Sequence, residues 1–331
     1  MTSRERVIRT LRFEGPDRIP TDIWFLPAVW DVHGQNLADL LARYPTDLGG
    51  SGYQDPFYDP RQYEVGEYDD VWGSHWVMLR KGMVGEVKRA PLAGYAALSD
   101  YQPPVHLLDV GFEKVEETLA AGHDKFVCGW GGNPFERMQF LRGPEALYMD
   151  LALLPDELFA LRDMVFGFFE QLVERWTHYD IDAVMFLDDW GSQRGLLIRP
   201  ETWREVFRPA YQRLIDRARG AGKLVLFHSD GHILDIYEDF IEMGVHAINS
   251  QLWCMDIEEI ARRFAGRITF WGEISRQNTL PRGSAEDVRA AARKMRELFF
   301  VRGGGLIGQG EAGPDVPLGN IEALLSAWNE A

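Results

Sequence analysis

The sequence predicts an α/β protein built as a (β/α)8 TIM barrel with a segment inserted after the second strand. Three observations lead there. From Ile19 onward, eight strand candidates mostly alternate with helices, and parallel neighbours need a crossover connection, usually helical. The clearest strands, such as Ala183-Val184-Met185-Phe186-Leu187 and Leu224-Val225-Leu226-Phe227, are continuous apolar runs rather than half-polar alternations, as expected of strands covered on both faces. The 331 residues suit eight such units, and no Gly-x-Gly-x-x-Gly turn follows the first strand to favour an open dinucleotide-binding sheet.

In chain order, Val7, Ile8 and Leu11 repeat at helical spacing over residues 3–13, and Pro16 ends that helix. Thr21-Asp22-Ile23-Trp24-Phe25 reads as the first strand, with a helix over 36–44 after it and a weak second strand at Asp47-Leu48-Gly49-Gly50. Residues 53–106 are rich in Tyr, Asp, Pro and Trp and contain the alternation Ser74-His75-Trp76-Val77-Met78. They read as an insertion carrying one or two β-hairpins within a single domain spanning 1–331. Strands then follow at 126–130, 183–187, 224–228, 245–249, 268–273 and 305–308. Helices are expected at 155–177, 200–219, 233–243, 257–264, 285–300 and 320–329.

Composition narrows the function. A net charge of −16 argues against nucleic acid as a partner, since phosphate binding needs clustered Lys and Arg. The apolar runs are too short to cross a membrane, and the amino terminus opens an amphipathic helix rather than a signal peptide, so a cytoplasmic setting is expected. Two cysteines, Cys128 and Cys254, are too few for a disulfide scaffold. A homodimer is left open.

Barrel enzymes place their chemistry at the carboxyl ends of the strands. Here those ends carry Asp188 and Asp189, then His228 and Asp230, Asn249 and Gln251, Glu273 and Gln277, and finally Gln309 and Glu311. His228 and Asp230, two apart at a strand end, can point to one ligand. An imidazole with two or three carboxylates suits zinc with an open coordination position, and clustered carboxylates also suit acid–base work. Helix capping is the competing role for these strand-end acids, more for Asp189 and Asp315 than for Asp188 and Glu311. Trp130, Trp190, Trp253 and Trp271 at or near strand ends point to an aromatic-walled pocket, and Trp24 belongs to an aromatic region at the end of the first strand. The Gly303–Gly305 and Gly308-Gln309-Gly310 stretches lack the Lys-Ser/Thr pair of a phosphate loop and read as places of close approach to a ligand.

Four segments resemble the uroporphyrinogen decarboxylase superfamily: Asp-Asp-Trp-Gly-Ser-Gln (188–193), Phe-His-Ser-Asp-Gly-His-Ile (227–233), Trp-Gly-Glu-Ile-Ser-Arg-Gln-Asn-Thr-Leu (271–280) and Pro-Asp-Val-Pro-Leu-Gly-Asn-Ile (314–321). The opening at 4–20 is similar to that family's start. The resemblance implies the same barrel and either cofactor-free decarboxylation of a porphyrinogen or zinc-dependent methyl transfer involving a corrinoid. The decarboxylases' arginine-bearing segment after the first strand is replaced here by Trp24-Phe25-Leu26-Pro27-Ala28-Val29-Trp30, with no arginine. The His-x-Cys zinc motif of the coenzyme M methyltransferases corresponds to His228 and Asp230. The resemblance therefore implies a zinc-dependent methyltransferase moving a methyl group between a small O- or N-methylated substrate and a corrinoid protein. In that reading His228, Asp230 and Glu311 hold the metal, and Asp188, Asp189 and Glu273 are catalytic. Trp24, Trp130, Trp190, Asn249, Gln251 and Gln309 contact substrate. Uroporphyrinogen decarboxylation and a non-catalytic corrinoid or tetrapyrrole carrier are the alternatives.

Overall fold

A computed structural model describes residues 1–82, 85–121 and 124–329. The chain begins with α1 (Ser3–Arg12), β1 (Trp24–Phe25), α2 (Ala28–Arg43) and β2 (Leu48–Gly49). The insertion contributes β3 (Gly66–Asp69), β4 (His75–Met78) and β5 (Glu86–Arg89), and α3 (Glu113–Ala120) follows it. Next come β6 (Phe126–Gly132), α4 (Pro134–Arg142), α5 (Pro144–Leu153), α6 (Asp156–Thr177) and β7 (Ala183–Leu187). After these lie α7 (Pro200–Val206), α8 (Arg208–Gly220), β8 (Leu224–Ser229), α9 (Tyr237–Met243), β9 (Ala247–Ser250), α10 (Ile257–Phe264) and β10 (Thr269–Gly272). The chain closes with α11 (Thr279–Arg282), α12 (Ala285–Phe299), β11 (Leu306–Gly308), β12 (Glu311–Ala312) and α13 (Leu318–Asn329).

Seven strands form one parallel sheet in the order β11-β10-β9-β8-β7-β6-β2, and β1 pairs in parallel with β12. The barrel closes through the chain just before β1. Asp22 N–H donates to Gly308 O (2.9 Å) and Trp24 N–H to Gly310 O (3.0 Å), while Asp47 N–H donates to Thr21 O (2.8 Å) on the other side. The expected (β/α)8 barrel is therefore present, with β12 extending the last strand beyond the residues that sequence pattern marks. The insertion after β2 folds as a separate antiparallel sheet, β3-β4-β5. It docks on α4 through the ion pair of Arg137 with Asp70 (3.0 Å), whose guanidinium also lies over Trp72.

The single helix expected over 200–219 is broken into α7 and α8. Pro209 cannot donate the backbone bond that would continue α7. α4 and α5 have no counterpart in the sequence reading, because their apolar residues spread around the helix instead of forming one stripe. No described helix is long and apolar enough to cross a membrane.

Two packed layers follow from strand pleat. Side chains facing the barrel axis, among them Phe126, Ala183, Leu226, Ala247, Trp271 and Ile307, pack with Val7 and Leu11 of α1, which plugs the amino-terminal end. Their neighbours along each strand face outward and pack under the helices, including Val184, Phe186, Val225, Phe227 and Phe270. The glycines of the last strand belong to the outer layer. A Cβ at Gly308 would lie 2.4 Å from Trp328 and one at Gly310 2.5 Å from Leu324. They let α13 approach the strand, which corrects their expected use in approaching a ligand.

Candidate metal centre at the barrel mouth

The pleat decides which strand-end residues meet. His228 follows Leu224 and Leu226 in the inward phase of β8, and Asp230 continues it one step past the strand. In β7 the inward phase runs Ala183, Met185, Leu187 and so Asp189, and register pairs Leu187 with His228. Two strand-end loops then cross at close range. Gly191 N–H donates to Asp230 O (3.1 Å), and Asp230 N–H donates to Asp189 Oδ1 (2.8 Å). Gly231 adopts φ +82°, and a Cβ there would sit 2.1 Å from Gly191 O, so the crossing requires glycine.

The result is a cluster of Asp189, His228 and Asp230 whose candidate ligand atoms lie within 4.8 Å of one another. His228 Nε2 is 3.5 Å from Asp189 Oδ1 and 3.7 Å from Asp230 Oδ1. Its tautomer is set by a chain of amides. Asn249 Nδ2 donates to the carbonyl of Trp271 (2.5 Å), which can only accept, and to Gln309 Oε1 (3.2 Å). Asn249 Oδ1 must then face His228 Nδ1 at 2.6 Å, making Nδ1 the N–H donor and leaving Nε2 toward the carboxylates. Trp24 covers the imidazole with ring centroids 5.2 Å apart and meets Trp271 edge-on at 5.1 Å.

Burial alone would lower the imidazole pKa, but the facing Asp189 and Asp230 raise it to about 9. Burial works against Asp189 as well, yet His228 and the Asp230 amide hold its pKa low. The space between Nε2 and the two carboxylates is thus built for a positive charge, whether a proton or a metal ion.

Arg276, which the sequence reading did not single out, organises the other side. Its guanidinium pairs with Asp230 and Glu311, lies 3.8 Å from Glu273 through Nε, and offers the same nitrogen to the Gln251 amide at 3.1 Å. Glu311 is therefore held by an arginine, and Asp189 takes the place expected for Glu311 in the ligand cluster. Burial pushes the Glu273 carboxyl up to about 8, against the pull of Arg276. Glu136, at the start of α4, is the second residue the sequence reading missed. Burial and the Asp189 charge raise its pKa to about 7, and it accepts from Asn133 Nδ2 at 2.8 Å.

Two expectations are corrected outright. Asp188 has the opposite phase to Asp189 and points away from the mouth, fully buried. Its carboxylate accepts from Phe135 N–H and Glu136 N–H at 2.9 Å each, and from the Tyr211 hydroxyl. It caps α4, whose own preceding residue supplies no side-chain cap, so it cannot touch a substrate. Trp190 is also fully buried, stacked on Phe135 at 3.8 Å and edge-on to Trp203 at 5.9 Å, so it belongs to the outer core. Trp130 is half-buried and packs with Phe57 of the insertion and with Phe169 of α6. Trp24 and Asn249 touch His228, Gln309 bonds Asn249, and Gln251 and Glu273 stand at Arg276. An outward-inward count along each strand is the signal that would have separated Asp188 from Asp189, once one inward residue per strand was known.

Comparison with known proteins agrees with this architecture. A methyltransferase from Methanosarcina mazei superposes with a TM-score of 0.75 at 17% identity, covering 99% of this chain and 98% of that one, a likeness that speaks for the fold. An endo-beta-1,4-xylanase from Gloeophyllum trabeum (TM-score 0.46, 12% identity, 97% and 99% covered) and a 3-keto-D-glucoside 4-epimerase from E. coli (0.41, 13%, 74% and 95%) are too distant to carry an argument. No curated protein matches the sequence. The uroporphyrinogen decarboxylase (URO-D) family profile matches residues 80–331, and with the strand-end segments falling where that barrel needs them, this chain belongs to the URO-D family.

Proposed function

We propose that this protein is a zinc-dependent methyltransferase that takes a methyl group from a small O- or N-methylated substrate and delivers it to a corrinoid carried by a partner protein. The observation that carries the reading is the Asp189–His228–Asp230 cluster, with Nε2 aimed between two carboxylates by the Asn249 amide. One nitrogen and two oxygens form a donor set that fits zinc and leaves a position for substrate. Zinc bound there would act as a Lewis acid on the oxygen or nitrogen bearing the methyl group.

The chain's own residues have separate tasks. Asn249 and Gln309 fix the imidazole, the hydrogen-bonded outer layer such ligands need. Arg276 anchors Asp230. Trp24 covers the imidazole and excludes water from one side. Glu273, with its pKa near 8, holds a proton at neutral pH that it can give to the heteroatom losing its methyl group.

Charge supports this reading over porphyrinogen decarboxylation. Arg276 is already engaged by Asp230 and Glu311, and the stretch after the first strand, Trp24 to Trp30, carries no arginine. A substrate bearing many carboxylates would lack the guanidinium partners it needs. The test is metal analysis of protein purified without chelator. An equimolar amount of zinc, lost in His228→Ala, is expected. Zinc-free protein, or production of coproporphyrinogen from uroporphyrinogen, would overturn the reading.

A further inference from the structure

Glu311 stands where a fourth ligand could come from, yet its carboxylate is turned to Arg276. The same guanidinium takes Asp230 Oδ2, leaving only Oδ1 facing His228 Nε2, at 3.7 Å. Arg276 is well placed for this. Its side chain is 18% exposed, and Glu273 and the Gln251 amide close on Nε at 3.8 Å and 3.1 Å. A guanidinium remains charged at any working pH, so the cation's side of the arrangement does not depend on titration.

We propose that Arg276 is a positioning residue that withholds Glu311, and half of Asp230, from the metal and so preserves an open coordination position for substrate. This rests on the zinc reading above. The physical argument is competitive. Zinc and the guanidinium are both cations seeking the same carboxylate oxygens, and a planar fork that engages two carboxylates at once holds them firmly. Without Arg276, Glu311 gains freedom to ligate, Asp230 frees its second oxygen, and a nearby positive charge disappears. Each change favours the metal ion, but the site then approaches the closed four-ligand state of a structural zinc centre.

An ordinary outer-layer residue behaves in the opposite way, since its loss lowers metal affinity by roughly 10–100-fold. The two roles therefore differ in sign. Zinc affinity of the full chain is measured by competition with a chromophoric chelator for the wild type, Arg276→Met, Glu311→Gln and the double variant. We expect Arg276→Met to bind zinc about tenfold more tightly, on the scale such neighbouring groups command. Glu311→Gln alone should match the wild type, and the double variant should lose most of the gain. Equal or weaker binding by Arg276→Met overturns the proposal. Should Arg276→Met not fold, Glu311→Gln decides alone: wild-type affinity supports the proposal, and a marked loss shows that Glu311 already ligates and overturns it. A wild type that takes no zinc fails the metal reading itself, whereas a zinc-binding wild type with an unimproved Arg276→Met fails only this inference.

Discussion

Replacing Asp188 by alanine should cost stability and leave the metal centre intact, while the same change at Asp189 should abolish metal binding at a smaller cost in stability. Asp188→Ala strips the acceptor from two amides of α4 at 2.9 Å and from the buried Tyr211 hydroxyl. An orphaned buried donor costs about 1–3 kcal/mol, and a lost helix cap about 0.5–2 kcal/mol. One contribution offsets these: burial, with Glu136 nearby, already raises the Asp188 pKa well above the usual carboxylate range, and that penalty disappears with the carboxyl. A net loss of roughly 3 kcal/mol follows, or a fall in melting temperature of about 5 °C for a chain of this size. Urea denaturation of both variants, paired with zinc affinity on the folded protein, is the assay. Asp188→Ala should unfold at lower urea yet bind zinc like the wild type, and Asp189→Ala, whose side chain is 42% exposed, should move the midpoint less and lose zinc. If Asp188→Ala abolished zinc binding without moving the urea midpoint, the assignment of the two residues to opposite faces would be wrong.

Two further outcomes are expected. Asp22 is buried inside the barrel with one carboxylate oxygen unpartnered, and burial raises its pKa to about 6. A raised carboxyl pKa favours the folded state below the unfolded value and loses that benefit as pH rises through the folded one. Asp22→Asn should therefore gain about 1–2 kcal/mol on the wild type between pH 5 and pH 8, read from urea midpoints; a constant difference would refute the assignment. Asn249→Ala frees the His228 ring and its tautomer, so zinc affinity should fall by about 10–100-fold in chelator competition.

Strand order and the nearness of His228 to Asp230 at the barrel mouth are legible in the sequence, because apolar runs, their spacing and i, i+2 geometry are local properties. The roles of Asp188 and Asp189 are not. A strand buried on both faces shows no alternation, so Ala183–Leu187 does not reveal which phase faces the axis. Arg276 and Glu136 lie past their strands, and only loop and helix-start geometry aims them at the mouth.

By itself, then, the sequence determines the barrel, its insertion and a rim of acids around one histidine, since burial pattern and chain order suffice for these. Tertiary structure decides which acids meet the imidazole, that Glu311 faces an arginine, and that Trp190 is core. Those outcomes depend on register between strands distant in sequence and on charges competing for the same few oxygens, and neither is encoded in any single stretch.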